Sequence, residues 1–115
     1  TGSFIEFIKN KNFGQISTLI VKPGCTRGNH YHHSKVEKFL VIVGKVKCFF
    51  KNLNDNKNYN FDASEKTPSV FESIPGWSHV IKNNSNKKAV ILLWSNEVFN
   101  NEKSDTYKYK INVKN

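Results

Sequence analysis

Apolar and polar residues alternate along this chain with the two-residue period of strands, and no segment sustains the 3.6-residue apolar period of a helix. SFIEFIKN (3–10) reads as a strand of mixed facing. FGQISTLIVK (13–22) reads as a second strand, rich in β-branched residues. Pro23-Gly24 signals a turn, and Gly28-Asn29 is a flexible point just ahead of a histidine cluster. NHYHH (29–33) is a short alternating strand. VEKFLVIV (36–43) is expected to return from it as the second arm of a hairpin. Both faces of that arm are apolar, so it should be central in its sheet or covered by a partner subunit. Gly44-Lys45 makes a tight turn, and further strands are expected at 46–53, 59–63, 69–74, 77–84, 89–96 and 106–113. Short strands separated by Gly, Pro and Asn turns predict an all-β protein: an antiparallel sandwich or barrel of jelly-roll type. There is no internal repeat and no linker, so residues 1–115 are expected to form one domain.

Size and composition narrow the function classes. The 115 residues can build a single modest core, and 37% hydrophobic with 13% aromatic residues excludes a disordered chain. No apolar run approaches the ~20 residues that cross a bilayer, so no membrane partner is expected. The net charge of +9 points towards an anionic partner. Much of that charge lies in Asn-rich, turn-like segments such as KNLNDNKNYN (51–60) and KNNSNKK (82–88), and no nucleic-acid motif accompanies it. Nucleic acid is therefore not expected as a partner. Cys25 and Cys48 are too few for a disulfide framework. With no export signal in view, they favour a reducing, cytoplasmic setting. Cys48, in VKCFF, reads as a buried small hydrophobe, and Cys25 as an alternative thiolate ligand close to the histidines. The chain starts abruptly at Thr1 with strand-like sequence, so a piece of a longer protein is expected.

The chemistry is concentrated between His30 and Glu37. In a strand His30 and His32 share one face and Tyr31 takes the other. On the following strand Glu37, Phe39, Val41 and Val43 share a face. That change of parity lets two strands aim ligands at one point. Imidazole and carboxylate together suit a divalent ion such as zinc, iron, manganese or nickel. His79, after the Pro75-Gly76 turn on a distant strand, is a candidate fourth ligand. The alternative is that these histidines are structural.

Gly24, His30, His32, Glu37 and Gly44 fall at the spacing of the first cupin motif. Ile74-Pro75-Gly76-Trp77-Ser78-His79 followed by Asn83 resembles the second. Ile74 stands where a proline is usual, and the preceding glycine is missing. Cupins are double-stranded β-helix jelly rolls, in agreement with the strand reading. FGQIS, KPGCTRGNHYHHSKVEKFLVIVG, IPGWSHVIKN and LLWSNEVFNNEKSDTY together resemble the C-terminal cupin domain of CapF-type capsular polysaccharide enzymes, from about Ser3 to Tyr107. Those enzymes help make UDP-N-acetyl-L-fucosamine. The resemblance implies a zinc-dependent epimerase acting at C3 of a UDP-linked 4-keto-6-deoxy-N-acetylhexosamine. In that family an N-terminal Rossmann domain then reduces the product with NADPH. This chain contains no glycine-rich dinucleotide fingerprint, so no NAD(P) is expected here. A homodimer is expected, since cupins often pair or exchange edge strands. TRGNHYH is also similar to the RGLH segment of the dTDP-sugar 3,5-epimerases, a cupin group that uses no metal.

Lys35, His33 and Tyr31 lie within the motif and are not required as ligands. They are candidate proton carriers, Lys35 first, its alternative being a solvated hairpin lysine. Arg27 suits a diphosphate or sugar hydroxyls, or is a surface arginine. Trp94 either stacks on a sugar or base or belongs to the core. Asn96 and Glu97 are candidates for the same cavity. Asp105 and Thr106 match the family pattern without a derived role. The rival functions are a metal-dependent dioxygenase and a non-catalytic sugar-binding or sensing module.

Overall fold

The computed structural model describes residues 2–98 and 105–111. Ten strands form two five-stranded antiparallel sheets. They are β1 (Gly2–Asn10), β2 (Gly14–Val21), β3 (Thr26–Tyr31), β4 (Glu37–Val43) and β5 (Lys45–Asn52), then β6 (Asn58–Ser64), β7 (Val70–Ser73), β8 (Trp77–Lys82), β9 (Ala89–Ser95) and β10 (Tyr107–Lys108). The first sheet has the order β1-β2-β9-β4-β7 and the second β10-β3-β8-β5-β6. This is the expected jelly roll, an antiparallel double-stranded β-helix. No helix among the described residues is long and apolar enough to cross a membrane.

Two expectations about the strands are corrected. The segments around His30 and Glu37 are not the two arms of a hairpin: β3 pairs with β8 and β10, whereas β4 pairs with β7 and β9. Residues 32–36 cross from one sheet to the other, and β3 ends at Tyr31, so His32 lies just beyond it. Two-residue alternation looks alike whether the next strand is a neighbour in the sheet or lies across the sandwich. The expected last strand is also shorter than 106–113: only Tyr107–Lys108 pairs, and 112–113 lie outside the described residues.

The core fills the space between the sheets. Val21, Cys48, Ala89 and Ile91 are fully buried there beside Phe39, Val41, Val46 and Ile81. Each large aliphatic side chain withdrawn from water contributes roughly 1.5–3 kcal/mol. Cys48 is the buried hydrophobe expected, and burial, with Asp62 adding to it, pushes its thiol up to about 12. Asn83 closes the turn after β8. Its amide donates to the carbonyls of Val21 and Lys87, and its Oδ1 accepts from the backbone and hydroxyl of Ser85.

Strand register separates an apolar end of the sandwich from a polar one. Gln15, Ser95, Glu37 and Ser73 lie side by side across β2, β9, β4 and β7, and all four are buried. One step along β9 and β4, Leu93 and Phe39 pair, both inside the core cluster. Phe39 shares the inward face with Glu37, two residues before it on β4. The facing row of the second sheet is His30, His79 and Phe50, on β3, β8 and β5.

Candidate metal centre

The polar end of the sandwich opens into a cavity of about 530 Å³, the size of a small-molecule site. His30, His32, Lys35, Glu37 and His79 line it, with Arg27 near them. One feature of β3 aims the first histidine. Gly28 (φ 115°) and Asn29 (φ 63°) carry positive φ, and the β3–β8 register shifts between Gly28 and His30. Such a bulge turns a strand locally and redirects a side chain. A Cβ at Gly28 would meet the carbonyl of His79, so only glycine fits there.

The ligand atoms of His30, His32 and Glu37 all lie within 4.8 Å of one another. The His32 ring donates from Nδ1 to the main-chain carbonyl of Asp105, which leaves Nε2 facing Glu37. Nε2 is 2.8 Å from Glu37 Oε1. In a neutral ring of that tautomer, two lone pairs would confront each other. A positive particle must sit between them, either a proton or a metal ion. The donor set therefore fits a divalent cation on the chemistry of its own atoms.

The electrostatics divide the site. Burial works against a charged His32, but the bond to Glu37 and its charge outweigh that, and the pKa is raised above its ordinary value. Burial would raise Glu37, yet the bond from His32 and the nearby imidazoles hold its carboxyl below the usual range. Burial dominates at His30 and lowers it. It dominates more strongly at His79, which falls to about 3. The cause at His79 is an aromatic wall: its ring stacks on Phe50 at 5.6 Å and meets Phe39 edge-on at 5.4 Å. His79 adjoins the three-donor group, its ring 4.8 Å from that of His30. Its Nδ1 is 3.1 Å from Ser73 Oγ, so Nε2 is the nitrogen available to an ion. Cys25 packs against the core and is not part of the donor group.

The remaining candidates separate. Arg27, Lys35 and Glu97 line the cavity. Lys35 is only 6% exposed, so it is not a solvated lysine. Tyr31 and His33 do not line it: they form an outer aromatic group with Tyr107, with ring separations of 5.4 Å and 4.4 Å. Trp94 and Asn96 also lie outside the cavity lining. The Trp94 indole donates to the Phe13 carbonyl, and Asn96 Oδ1 accepts from the Val36 amide. Trp94 pairs with Lys38 across β9 and β4, so it sits on the face opposite Glu37.

Several lining residues were given no role by the sequence reading, although Gln15 and Ser17 lie in FGQIS and Ser95 in LLWSNEVF. Phe4, Glu6 and Lys9 come from β1, Gln15 and Ser17 from β2, and Ser95 from β9. The available signal was parity: Gln15 and Ser17 occupy the face of β2 that also carries Leu19 and Val21. Polar residues on a core-facing row mark a cavity or a site.

The whole of residues 1–107 matches the family described as the polysaccharide biosynthesis C-terminal domain. A UDP-2-acetamido-2,6-beta-L-arabino-hexul-4-ose reductase of Pseudomonas aeruginosa is 43% identical over 106 residues, which are 92% of this chain and 28% of that protein. CapF of Staphylococcus aureus, a capsular polysaccharide assembling protein, superposes with a TM-score of 0.92 at 41% identity, over 96% of this chain and 32% of that one. NovW, a 4-keto-6-deoxy sugar epimerase of Streptomyces spheroides, shares the fold at a TM-score of 0.70 and 13% identity, over 82% and 51% of the two chains. The chain thus spans about a third or less of its two nearer relatives named here. With that match over nearly its full length, it belongs to the polysaccharide biosynthesis C-terminal domain family.

Proposed function

We propose that this chain is the epimerase part of a sugar-nucleotide enzyme of capsule or O-antigen precursor synthesis, inverting C3 of a UDP-linked 4-keto-6-deoxy-N-acetylhexosamine. The observation that carries the reading is the placement of Lys35 in the same cavity as the His30, His32 and Glu37 donor group. Epimerisation beside a carbonyl removes one proton and returns another to the opposite face. His30, His32 and Glu37, with His79 beside them, would hold a divalent ion, zinc in our reading, which would supply Lewis-acid polarisation of the carbonyl. Lys35 is assigned the proton transfer on one face. Glu6, Glu97 and His79 line the same cavity and are chemically able to serve the other. Arg27 also lies in the lining, and its planar guanidinium suits the diphosphate.

The P. aeruginosa relative is named a reductase and is matched over 28% of its length. We assign the reducing step, and NAD(P), to the part of that protein outside the match. We propose further that the protein works in the cytoplasm as a homodimer.

The test is solvent exchange. In deuterium oxide the chain should place deuterium at C3 of a UDP-4-keto sugar, and His30→Ala should abolish it. Exchange no faster than in His30→Ala would favour a sugar-binding module and defeat the proposal. Full exchange after chelation would remove the metal from it, as in a metal-free epimerase. Stoichiometric redox-active iron with oxygen uptake would replace it with a dioxygenase.

A further inference from the structure

The connection 32–36 carries one ligand and the candidate proton carrier, and it crosses between sheets without belonging to either. Such a segment needs an anchor from elsewhere. That anchor comes from the far end of the chain. The Asp105 carboxylate accepts the backbone N–H groups of three successive residues: His33 at 2.9 Å, Ser34 at 2.7 Å and Lys35 at 3.0 Å. It also accepts the Ser34 hydroxyl at 3.0 Å, while that hydroxyl lies 2.8 Å from Glu97. Successive amides turned towards one anion form a nest, and the carboxylate fills it. The main-chain carbonyl of the same residue takes the Nδ1–H of His32. One residue thus fixes the connection through its side chain and the His32 tautomer through its backbone.

The segment that delivers Asp105 is itself tied down. β10 pairs with β3 at Tyr31 and His30. The backbone N–H of Tyr109 donates to the Asn29 carbonyl, and that of Ile111 to Asn29 Oδ1. Ser78 donates to the Tyr109 carbonyl, and Lys51 Nζ reaches the Tyr109 hydroxyl.

We infer that Asp105 is the positioning residue of the site: its carboxylate holds residues 33–35 so that its carbonyl orients His32 and Lys35 faces the cavity. It lies outside both the donor group and the cavity lining, and it acts through His32 and Lys35. The inference rests on the donor-group reading above. Outer partners of ligating histidines typically change metal affinity 10–100-fold when removed.

The test uses the 115-residue chain with Co²⁺ as probe, in the wild type, Asp105→Ala, Asp105→Asn and a remote core variant, Val46→Ala. Ring ¹⁵N shifts of His32 and amide exchange of residues 33–35 are also read without metal. Asp105→Ala should weaken Co²⁺ binding about 10–100-fold and alter the ligand-field spectrum. Without metal, at a pH above the raised His32 pKa where the ring is neutral, it should mix the His32 tautomers, and it should speed exchange at 33–35. Asp105→Asn keeps an acceptor and should fall between Asp105→Ala and wild type. Val46→Ala should lower stability while leaving the spectrum and the tautomer unchanged. Unchanged ring shifts and exchange in Asp105→Ala would overturn the inference, and so would a matching loss of affinity in Val46→Ala. If the wild type takes up no Co²⁺, the donor-group reading fails, and the metal-free measurements still decide the role of Asp105.

Discussion

At the residue scale the site turns on what lies between His32 and Glu37. Their facing atoms are 2.8 Å apart, and because Nδ1–H is given to the Asp105 carbonyl, Nε2 is the nitrogen that faces the carboxylate. In the metal-free chain a proton fills that gap, so binding an ion means expelling it. The sign follows from the shifts. The His32 pKa is raised above 6.5, so between 6.5 and the raised value the proton is still present and must be displaced. His30 and His79 are lowered, hence already neutral in that window, and Glu37 is already ionised. Affinity for Co²⁺ or Zn²⁺ should therefore rise about tenfold per pH unit above 6.5, the slope of one proton and not three, then level off. Glu37→Gln should weaken binding and flatten that slope, because the glutamine no longer holds the His32 proton. Calorimetric titration across pH 6–9 checks both, and a slope unchanged in Glu37→Gln would contradict the assignment. The three donors were legible because a histidine-rich run next to a strand is rare. Asp105 was not: its role depends on a contact between residues more than seventy positions apart. Neither spacing nor parity reports such a contact.

At the scale of elements the strands were largely legible, since alternation and turn residues mark them directly. Their partners were not. The run from Asn29 to Val43 looks like a hairpin, yet its two halves sit in opposite sheets. Gly44, between β4 and β5, likewise joins strands of different sheets. A jelly roll makes many such corners, and local sequence signals bend a chain without saying where it goes next. The Gly28–Asn29 bulge is an element-scale device with a direct consequence. Gly28→Ala would put a methyl group against the His79 carbonyl at a backbone angle that alanine avoids. It should cost about 1–3 kcal/mol and loosen the β3–β8 ladder. Because His30 and His79 pair across that ladder, metal affinity should fall with stability. Chemical denaturation and Co²⁺ titration on one sample would show this. A variant with wild-type affinity and stability would mean that the bulge does not aim His30.

For the whole molecule, the two sheets treat their outer faces differently. The second is partly covered by the chain's own end, through the bonds of Tyr109 to Asn29 and Ser78, and Val80 on β8 is fully buried. The first has no such cover among the described residues. Register places Ile5, Thr18, Leu92, Leu40 and Val70 side by side across β1, β2, β9, β4 and β7, on the face away from the core. Ile5 is 51% exposed, Leu92 38% and Val70 62%. An antiparallel sheet normally turns polar residues to water on its outer side, and a row like this one, apolar except at Thr18, marks an interaction surface. The double-sided apolar character of residues 36–43 has this origin: Phe39 and Val41 enter the core, while Leu40 and Ile42 face outwards. A second copy is the occupant we propose. A two-fold axis would set the row against itself, and a stable interface of this kind buries roughly 800 Å² per partner. The wild-type chain should sediment as a dimer at micromolar concentration. Leu92→Asp, placing a charge at the centre of the row, should give a folded monomer. The His30, His32 and Glu37 donor group lies between the sheets, so Co²⁺ affinity should survive dissociation. A wild type that sediments as a monomer, or a Leu92→Asp variant that stays dimeric, would assign the row to some other partner.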